Sequence, residues 1–372
     1  MSRINLGVTG DYHVHLREGK MMELVTPTIR EGGVSIAYIM PNLTPPVTTI
    51  EKVVDYKKQL QALSPKTTFL MTFYLSRDLT PELVDKAAKL GAIDGIKCYP
   101  AGVTTNSQAG VDPNDFSDFY PIFEAMERND LVLNLHGEKP STHNDHDHAH
   151  LDDTNVDEAI HVMNAESKFL PALEKLHKDF PNLRIVLEHC TTKAAIDMVE
   201  KINAERKPED PIKVAATITA HHLYITIDDV AGNPINFCKP IAKLPLDRQA
   251  LIKASTSGKP YFFFGSDSAP HILSNKVRNE GVCAGVYTQN NAIAYIAEIF
   301  DKYNKLDNLK KFVSDNGIGF YAIPKEKIVN HDELILVKGE NIIPTLIGEG
   351  ECVVQPFKPG QKLSWTVEWE SK

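Results

Sequence analysis

The sequence lacks three features that would each place it in a distinct class of proteins. It has no hydrophobic run that approaches a membrane span, the longest candidate being 34–40, and no basic-then-apolar signal peptide at its start. It also lacks a positive net charge, since the formal charge at pH 7 is −9. This charge argues against binding to nucleic acids or anionic membranes. We therefore expect a cytoplasmic protein that holds any anionic substrate by local positive groups.

Cysteine is scarce and shows no pairing pattern. The chain has five cysteines in 372 residues, and none of them forms a CxxC pair. An odd number of widely spaced cysteines favours reduced, packed thiols over a disulfide framework. We assign no chemistry to these residues, which are Cys98, Cys190, Cys238, Cys283 and Cys352.

Short apolar runs of strand type alternate with longer segments of helical periodicity. The eight runs are 6–15, 34–42, 68–76, 93–99, 131–136, 184–190, 214–219 and 261–267. Helical segments between them are 51–63, 81–90, 116–129, 166–178, 192–205 and 247–257. Eight strand–helix units predict a (β/α)₈ TIM barrel. We expect one domain over 1–372, with a C-terminal extension from about 320 packed on the barrel through Trp365 and Trp369.

Reactive residues lie at the ends of these runs, where a barrel carries its chemistry. In chain order they are His13, His15, Asn42, Lys97, His136, His189 and Asp267. Residues two apart in a strand share a face, so His13 and His15 can grip one divalent metal ion. The alternative is a pair of exposed or packed histidines, and the other strand-end residues favour the metal.

The donors are sufficient for two metal ions. One ion could take His13 and His15, and the other His136 and His189, with an anion between them. Two dications would repel an ammonium at Lys97, so this lysine can serve only as a neutral amine or as a carbamate. The alternative is that Lys97 packs its stem and reaches solvent.

Asp267 follows the very apolar run 261–264 and stands at the end of the last predicted strand. A buried carboxylate there needs either a metal ion or a network of hydrogen-bond donors. Next to a metal-bound hydroxide it could both ligate and carry a proton. Capping of the turn 268–270 is the alternative role.

The motifs resemble those of the dihydroorotases in the amidohydrolase superfamily, specifically the single-function, compact-barrel type of bacteria and fungi. The strings DYHVHLREG, MPNLTPPVTT, IKCYPAGVTTNS, LHGE, LEHCTTK and GSDSAPH stand in family order over nearly the whole chain. The resemblance implies two zinc ions per chain, bridged by N6-carboxylated Lys97. It assigns His13, His15 and Asp267 to one zinc ion, and His136 and His189 to the other.

The same resemblance implies the substrate and the reaction. Arg17, Asn42 and His271 would bind the substrate carboxylate, backbone near Leu223 and Ala284 would contact the pyrimidine ring, and Thr104 and Thr105 would lie on a closing loop. The implied reaction is the reversible cyclisation of N-carbamoyl-L-aspartate to L-dihydroorotate in de novo pyrimidine (UMP) biosynthesis. In the hydrolytic direction a zinc-bridging hydroxide attacks the ring amide, with Asp267 as general acid and base. A homodimer is expected for such a protein.

One segment departs from the family pattern. The stretch 139–164 is longer than in compact bacterial members and carries the histidine-rich run 143–150, which we expect to be a solvated loop.

Two rival functions remain open. The first rival is another cyclic-amide hydrolase of hydantoinase type, acting on a ring without a carboxylate. The second rival is a non-catalytic barrel, which would require the loss of metal ligands.

Overall fold

The computed structural model describes residues 2–142, 159–279 and 281–371. The strands are β1 (Arg3–Gly7), β2 (Gly10–Val14), β3 (Ile36–Ile39), β4 (Thr68–Tyr74), β5 (Gly95–Cys98), β6 (Val132–Leu135), β7 (Arg184–Leu187), β8 (Val214–Ile218), β9 (Phe262–Phe264), β10 (Glu333–Ile342), β11 (Ile347–Glu349), β12 (Cys352–Val354) and β13 (Lys362–Glu370). The α-helices are α1 (Gly19–Val25), α2 (Thr28–Glu31), α3 (Ile50–Leu63), α4 (Pro81–Lys89), α5 (Tyr120–Arg128), α6 (Ala165–Asp179), α7 (Lys193–Glu205), α8 (Ile227–Val230), α9 (Pro245–Ser255), α10 (Leu273–Lys276), α11 (Ala292–Lys302) and α12 (Asn316–Phe320).

Strands β2 to β9 form one parallel sheet in which each strand pairs with the next along the chain. The ring closes where the last strand returns to the first, through a parallel bridge between Val14 and Ser268. Two backbone hydrogen bonds support this seam, from Asp267 N–H to the His13 carbonyl (2.8 Å) and from His15 N–H to the Ser268 carbonyl (3.0 Å). The predicted (β/α)₈ barrel is confirmed.

The helices begin where their sequences provide caps. The Thr80 hydroxyl accepts a hydrogen bond from the Leu83 N–H (3.2 Å), directly before the first-turn residue Pro81 of α4. The hydroxyl of Thr192 accepts from the Ala195 N–H (3.1 Å) in the same way at α7. Such caps satisfy donors that a first helical turn leaves free. They fix where each helix starts after its strand.

A cluster of aromatic side chains fills the inside of the barrel. The ring of Tyr12 stacks on Tyr321 with centroids 5.0 Å apart and meets the edge of Phe263 at 5.3 Å. Strand β2 has an irregular register between Asp11 and Val14. A bulge of this kind breaks the alternation of faces, so Tyr12 and its neighbour His13 both face the interior.

The first apolar run, 6–15, is not one strand, and that prediction was wrong. The chain divides it at Gly7, which has a φ of 67° that favours glycine. Strand β1 lies outside the barrel, in a separate antiparallel sheet. The central strand of this sheet is β10, which pairs with both β1 and β13. The N-terminal strand is therefore paired with the C-terminal extension.

Both tryptophans of the extension are packed against other elements. The Trp365 side chain is fully buried, and its Nε1 donates to Asp301 Oδ2 at 3.2 Å. Trp369 Nε1 donates to the Arg30 carbonyl at 3.0 Å, while the Arg30 guanidinium lies 3.3 Å from a ring centroid of Trp369. These contacts attach β13 to α11 and α2.

The described residues also show the state of the cysteines and the character of the helices. All five cysteines have free thiols, as predicted. In the three described ranges, every helix is too short or too polar to serve as a bilayer-spanning segment.

The tightest glycine in the barrel wall gives a test of this packing. A Cβ added at Gly95 would lie 2.1 Å from Tyr38 Oη and 2.3 Å from the Val132 carbonyl oxygen. We expect Gly95→Ala to lower the free energy of unfolding by about 1–3 kcal/mol, as overpacking does. Denaturant unfolding measures this loss. Gly319→Ala is the control, because no atom lies within 4 Å of its added Cβ. Equal stability of the two variants would contradict the packing described.

Candidate metal centre

Three buried side chains meet where β2 and β9 end. The Nε2 atoms of His13 and His15 lie 3.3 and 3.1 Å from the same atom, Oδ1 of Asp267. The donor atoms of the three residues all lie within 4.8 Å of one another. Two imidazole nitrogens and a carboxylate oxygen suit zinc and similar divalent ions. This group can therefore hold one metal ion.

A second pair of imidazoles stands beside the first. The rings of His136 and His189 have centroids 4.6 Å apart, and the His189 ring lies 4.9 Å from that of His13. Among the described residues, His189 Nδ1 is buried and has no hydrogen-bond partner. His136 Nε2 lies 2.8 Å from Glu138 Oε2. The pair has a free nitrogen that a metal ion or a ligand would satisfy.

Lys97, on β5, has a fully buried side chain. Within the part of the chain that the structure describes, its Nζ has no hydrogen-bond partner. Burial lowers the pKa of this amine to about 8. An ammonium without a partner is costly inside a protein. The surroundings of Lys97 therefore make the neutral amine more accessible than it is for a lysine in water, and the neutral amine is one of the two forms in which Lys97 could serve two metal ions.

The protonation states of Asp267 and His15 are those of metal ligands. Burial raises the pKa of Asp267, but hydrogen bonds from His13 and His15 outweigh burial and hold the pKa well below its ordinary value. Burial lowers the pKa of His15 to about 4. At neutral pH the carboxylate is therefore ionised and the His15 imidazole is neutral. Metal binding requires both of these forms.

Three residues of the site have left-handed backbone, which is rare outside glycine. The φ angles are 61° at Arg17, 41° at His189 and 46° at Asp267. Left-handed residues interrupt the alternation of faces that a strand imposes. As a result, the consecutive residues Glu188 and His189 both reach the site. Strain of this kind concentrates at functional sites.

A buried carboxylate, Glu188, orients the first histidine. Its Oε2 lies 2.9 Å from His13 Nδ1 and also accepts a hydrogen bond from the Thr217 hydroxyl. Its other oxygen accepts from Asn134 Nδ2 at 2.6 Å. Metal-binding histidines usually donate their second nitrogen to such a group, which fixes the ring and its tautomer. Glu188 thereby directs His13 Nε2 towards Asp267.

The support continues into the barrel. Asn134 Oδ1 accepts from the Tyr38 hydroxyl (2.8 Å), and its Nδ2 donates to the Tyr321 hydroxyl (2.8 Å). Tyr321 follows α12 directly and stacks on Tyr12. The aromatic interior and the candidate metal ligands therefore belong to one connected set of contacts.

Sequence reasoning missed Glu138, Glu188 and Asn134. Strand alternation places Glu188 and His189 on opposite faces, so no periodic signal marks Glu188. For Asn134 a signal existed, because it lies two residues before His136 and shares its face. Glu138 has the same spacing after His136 and is visible in the string LHGE.

Two of the three residues predicted to bind a substrate carboxylate, Arg17 and His271, are in contact, together with the Ala284 carbonyl. Arg17 Nη2 is 3.1 Å from His271 Nε2, and Arg17 Nε donates to the Pro270 carbonyl at 3.1 Å. The same His271 nitrogen lies 3.0 Å from the Ala284 carbonyl. Burial lowers the pKa of His271 to about 3, with the Arg17 charge contributing. Arg17 is therefore the cationic group of this trio at neutral pH.

Asn42 connects the metal ligands to the loop predicted to close over a substrate. Its Oδ1 lies 2.8 Å from His15 Nδ1, and its Nδ2 donates to the Thr105 carbonyl at 3.0 Å. The Thr104 N–H donates to the Ser107 hydroxyl at 2.9 Å within the loop. Asn42 thus has a positioning contact with His15 that the sequence did not reveal.

Two predicted features remain. Leu223 lies in the 3₁₀ turn His221–Leu223 after β8, and its N–H already donates to the Ala220 carbonyl at 3.1 Å. The Leu223 carbonyl is therefore the backbone group that remains available to contact a substrate ring.

The histidine-rich run 143–150 lies outside the described residues, as does the rest of 143–158.

Glu188 provides a test of the support beneath His13. Three donors point at this carboxylate, whereas the amide of Glu188→Gln offers one oxygen acceptor and introduces a donor. We expect zinc affinity to fall by about 10- to 100-fold, as for other partners of metal-binding histidines. Zinc retained against graded chelator concentrations measures this change. Glu200→Gln, which alters a carboxylate paired with Lys259 on the surface, is the matched control. Identical retention in both variants would remove the role given to Glu188.

Comparison with known proteins identifies the family. A model of the amidohydrolase family matches residues 78–201. The dihydroorotase of Saccharomyces cerevisiae is 62% identical and covers 100% of each chain. A crystal structure of dihydroorotase from that organism, in complex with 5-fluoroorotic acid, superimposes with a TM-score of 0.95 over 100% of both chains. Dihydroorotase from Campylobacter jejuni matches at 34% identity and a TM-score of 0.82, covering 98% of this chain and 97% of the other. The chain belongs to the dihydroorotase family of amidohydrolases.

Proposed function

We propose that this protein interconverts N-carbamoyl-L-aspartate and L-dihydroorotate, a step of de novo pyrimidine biosynthesis. The observation that carries the proposal is the position of Arg17. The Arg17 guanidinium contacts His271. Arg17 follows His15 by two residues in the sequence, so a group that can bind a carboxylate lies next to the His13–His15–Asp267 group. The 62% identical relative named dihydroorotase, crystallised with 5-fluoroorotic acid, supports the same substrate class.

The donor set fits two zinc ions. We assign His13, His15 and Asp267 to one ion and His136 and His189 to the other. The unpartnered nitrogens of Lys97 and His189 within the described chain support this assignment, because metal binding would satisfy both sites. When bound, zinc supplies Lewis acidity for a substrate carbonyl and lowers the pKa of water.

Carboxylation of Lys97 gives the anion that two cations require between them. The neutral amine adds to carbon dioxide, a nitrogen–carbon bond forms, and one N–H proton leaves to solvent. The product is an N6-carboxylate, and in the proposed assignment this anion would help to hold both zinc ions. Full burial of Lys97 and its lowered pKa of about 8 raise the fraction of the neutral amine that this reaction consumes, relative to an ordinary lysine.

In this proposal Asp267 moves the proton of the reaction. In the hydrolytic direction it takes the proton lost by the attacking water and delivers it to the ring nitrogen that leaves. Its low pKa keeps it ionised and ready to accept. In the direction of ring closure, Asp267 takes the proton from the same nitrogen.

Arg17, Asn42 and His271 hold the substrate carboxylate in this proposal. A guanidinium is a planar fork that binds carboxylate through two hydrogen bonds. The carbonyls of Leu223 and Ala284 accept from the N–H groups of the pyrimidine ring. Thr104 and Thr105 close over the bound substrate, and the hydrogen bond from Asn42 to the Thr105 carbonyl connects the closed loop to the site.

The two rival functions are less well supported. A hydantoinase-type substrate without a carboxylate gives Arg17 and His271 no partner. A non-catalytic barrel requires missing ligands, and every one of the six ligand positions carries a competent residue. These residues are His13, His15, Lys97, His136, His189 and Asp267.

We also propose that the chain is one domain and forms a homodimer in the cytoplasm. Pairing of β1 with β10 supports a single domain, because it joins the first residues to the extension that begins near residue 320. The five free thiols support a reducing compartment. The homodimer rests on the resemblance to the family.

Metal removal tests the proposed reaction directly. We expect chelation to abolish ring opening of L-dihydroorotate and closure of N-carbamoyl-L-aspartate, and added zinc to restore both. Chromatographic separation of the two compounds measures the rates, and elemental analysis measures bound zinc. Dihydrouracil, a ring without the carboxylate, is the control substrate and should remain intact. Full activity of metal-free protein would refute the zinc assignment, and turnover of dihydrouracil alone would refute the substrate assignment.

Two substitutions should separate binding from chemistry. We expect Arg17→Lys to raise KM about 10- to 100-fold, because a charge-assisted pair contributes about 1.5–3 kcal/mol. We expect Asp267→Asn to lower kcat about 10²- to 10⁴-fold, as loss of a general acid–base does. Steady-state kinetics at measured zinc content distinguish the two effects. Arg77→Lys, at an exposed arginine that pairs with Asp118 on the surface, is the control for Arg17. A KM unchanged in Arg17→Lys contradicts its role.

A further inference from the structure

A second cluster of metal-binding residue types lies next to the 3₁₀ turn after β8. It consists of His221, His222 and Cys238, which are all fully buried. One donor atom from each lies within 4.8 Å of the others. None of the three has a role in the proposed reaction. The cluster therefore needs a separate explanation.

The cluster has the spacing of a tetrahedral zinc site. Cys238 Sγ lies 3.5 Å from His222 Nε2. A sulfur and a nitrogen bound to one tetrahedral zinc, at about 2.3 and 2.0–2.1 Å, are separated by about 3.5 Å. The Pro240 carbonyl lies 3.1 Å from the same nitrogen and 3.3 Å from the sulfur. This carbonyl is in place to be a fourth donor.

The other nitrogen of His222 is already fixed. Nδ1 lies 2.8 Å from the Thr219 hydroxyl oxygen. Without a metal ion, Nε2 carries the ring proton, because it lies 3.1 Å from the Pro240 carbonyl oxygen, which can only accept. Transfer of the proton to Nδ1, beside the Thr219 oxygen, would free the Nε2 lone pair, and a neighbouring group often selects the tautomer of a ligating histidine in this way. His222 can therefore become a metal donor through a change of tautomer, with no movement of the ring.

His221 is the independent indication that something is bound. Its side chain has no exposed surface, and within the described residues neither ring nitrogen has a hydrogen-bond partner. A buried imidazole in this state is rare, because each unpaired polar atom has lost its water without compensation. Coordination would satisfy one nitrogen of His221 in the same step that satisfies Cys238.

We propose that His221, His222 and Cys238, with the Pro240 carbonyl, bind a third zinc ion separate from the catalytic centre. On binding, the Cys238 thiol loses its proton to solvent and a sulfur–zinc bond forms. A site with four protein donors and no open position is structural. It would tie the turn that carries Leu223 to the loop around Pro240.

The charges around Cys238 are compatible with this site. Burial raises the pKa of the Cys238 thiol to about 12, so the thiolate needs a cation beside it. The charges of Lys276 and Lys243 act to lower the pKa of this thiol, but burial outweighs them. Lys243 Nζ donates to the Ile241 carbonyl at 2.9 Å, and Lys276 Nζ donates to the Phe237 carbonyl at 2.8 Å.

Cobalt substitution of the full chain tests the proposal. We replace the partly exposed Cys283 and Cys352 by serine, which removes adventitious thiols, and then load the protein with Co²⁺. We expect three cobalt ions per chain and a thiolate-to-cobalt charge-transfer band in the near ultraviolet. The catalytic donor set contains no sulfur, so the band reports only a cysteine-containing site. Cys238→Ala should lose the band and one cobalt ion, whereas Cys190→Ala, at another buried thiol, should keep both.

The outcomes separate this proposal from the proposed function. Two cobalt ions without the band overturn the third site and leave the catalytic centre intact. One cobalt ion with the band supports the third site and counts against the catalytic pair. If Cys238→Ala does not fold, X-ray absorption of the zinc-loaded Cys283→Ser, Cys352→Ser protein decides the question. A sulfur atom in the zinc shell supports the proposal, and a shell of only nitrogen and oxygen overturns it.

Discussion

The structure depends on one constraint, the burial of an amine, four imidazoles and several carboxylates at one end of the barrel. Each of these groups would lose free energy on leaving water unless a partner replaced its hydration. Glu188 accepts from His13, Asp267 receives two imidazoles, and Asn42 contacts His15. Lys97 and His189 keep atoms without partners among the described residues. Among these groups of the mouth, the described chain satisfies most of the polar atoms, and the atoms of Lys97 and His189 that it leaves without partners lie where metal ions are proposed.

The barrel and the grouping of the candidate metal ligands could be predicted from the sequence because both depend on local patterns. Apolar runs of strand length alternate with helical segments, and each reactive residue ends a run. His13, His136 and Asp267 could therefore be assigned to one mouth before their distances were known. Helix starts such as Thr80 were readable for the same reason, since a cap is a contact between residues three apart.

What could not be read depends on departures from strand regularity and on contacts distant in sequence. The bulge in β2 brings Tyr12 and His13 to one face of the strand. The left-handed backbone at His189 allows Glu188 and His189 to reach the same site. A periodic pattern assumes that neither irregularity exists. The pairing of β1 with β10 depends on a partner more than 300 residues away in the sequence, so no local sequence pattern predicts it. The contact between Asn42 and His15 is non-local in the same way.

The seam between β9 and β2 has a consequence for how the proposed metal site assembles. The His13 carbonyl accepts from the Asp267 amide across this seam, so two of the proposed ligands of one metal ion come from the first and last strands of the barrel. Neither strand alone carries this donor set, so the set is complete only when the ring is closed. A cation bound there would hold the seam together, and metal binding and ring closure would therefore stabilise each other.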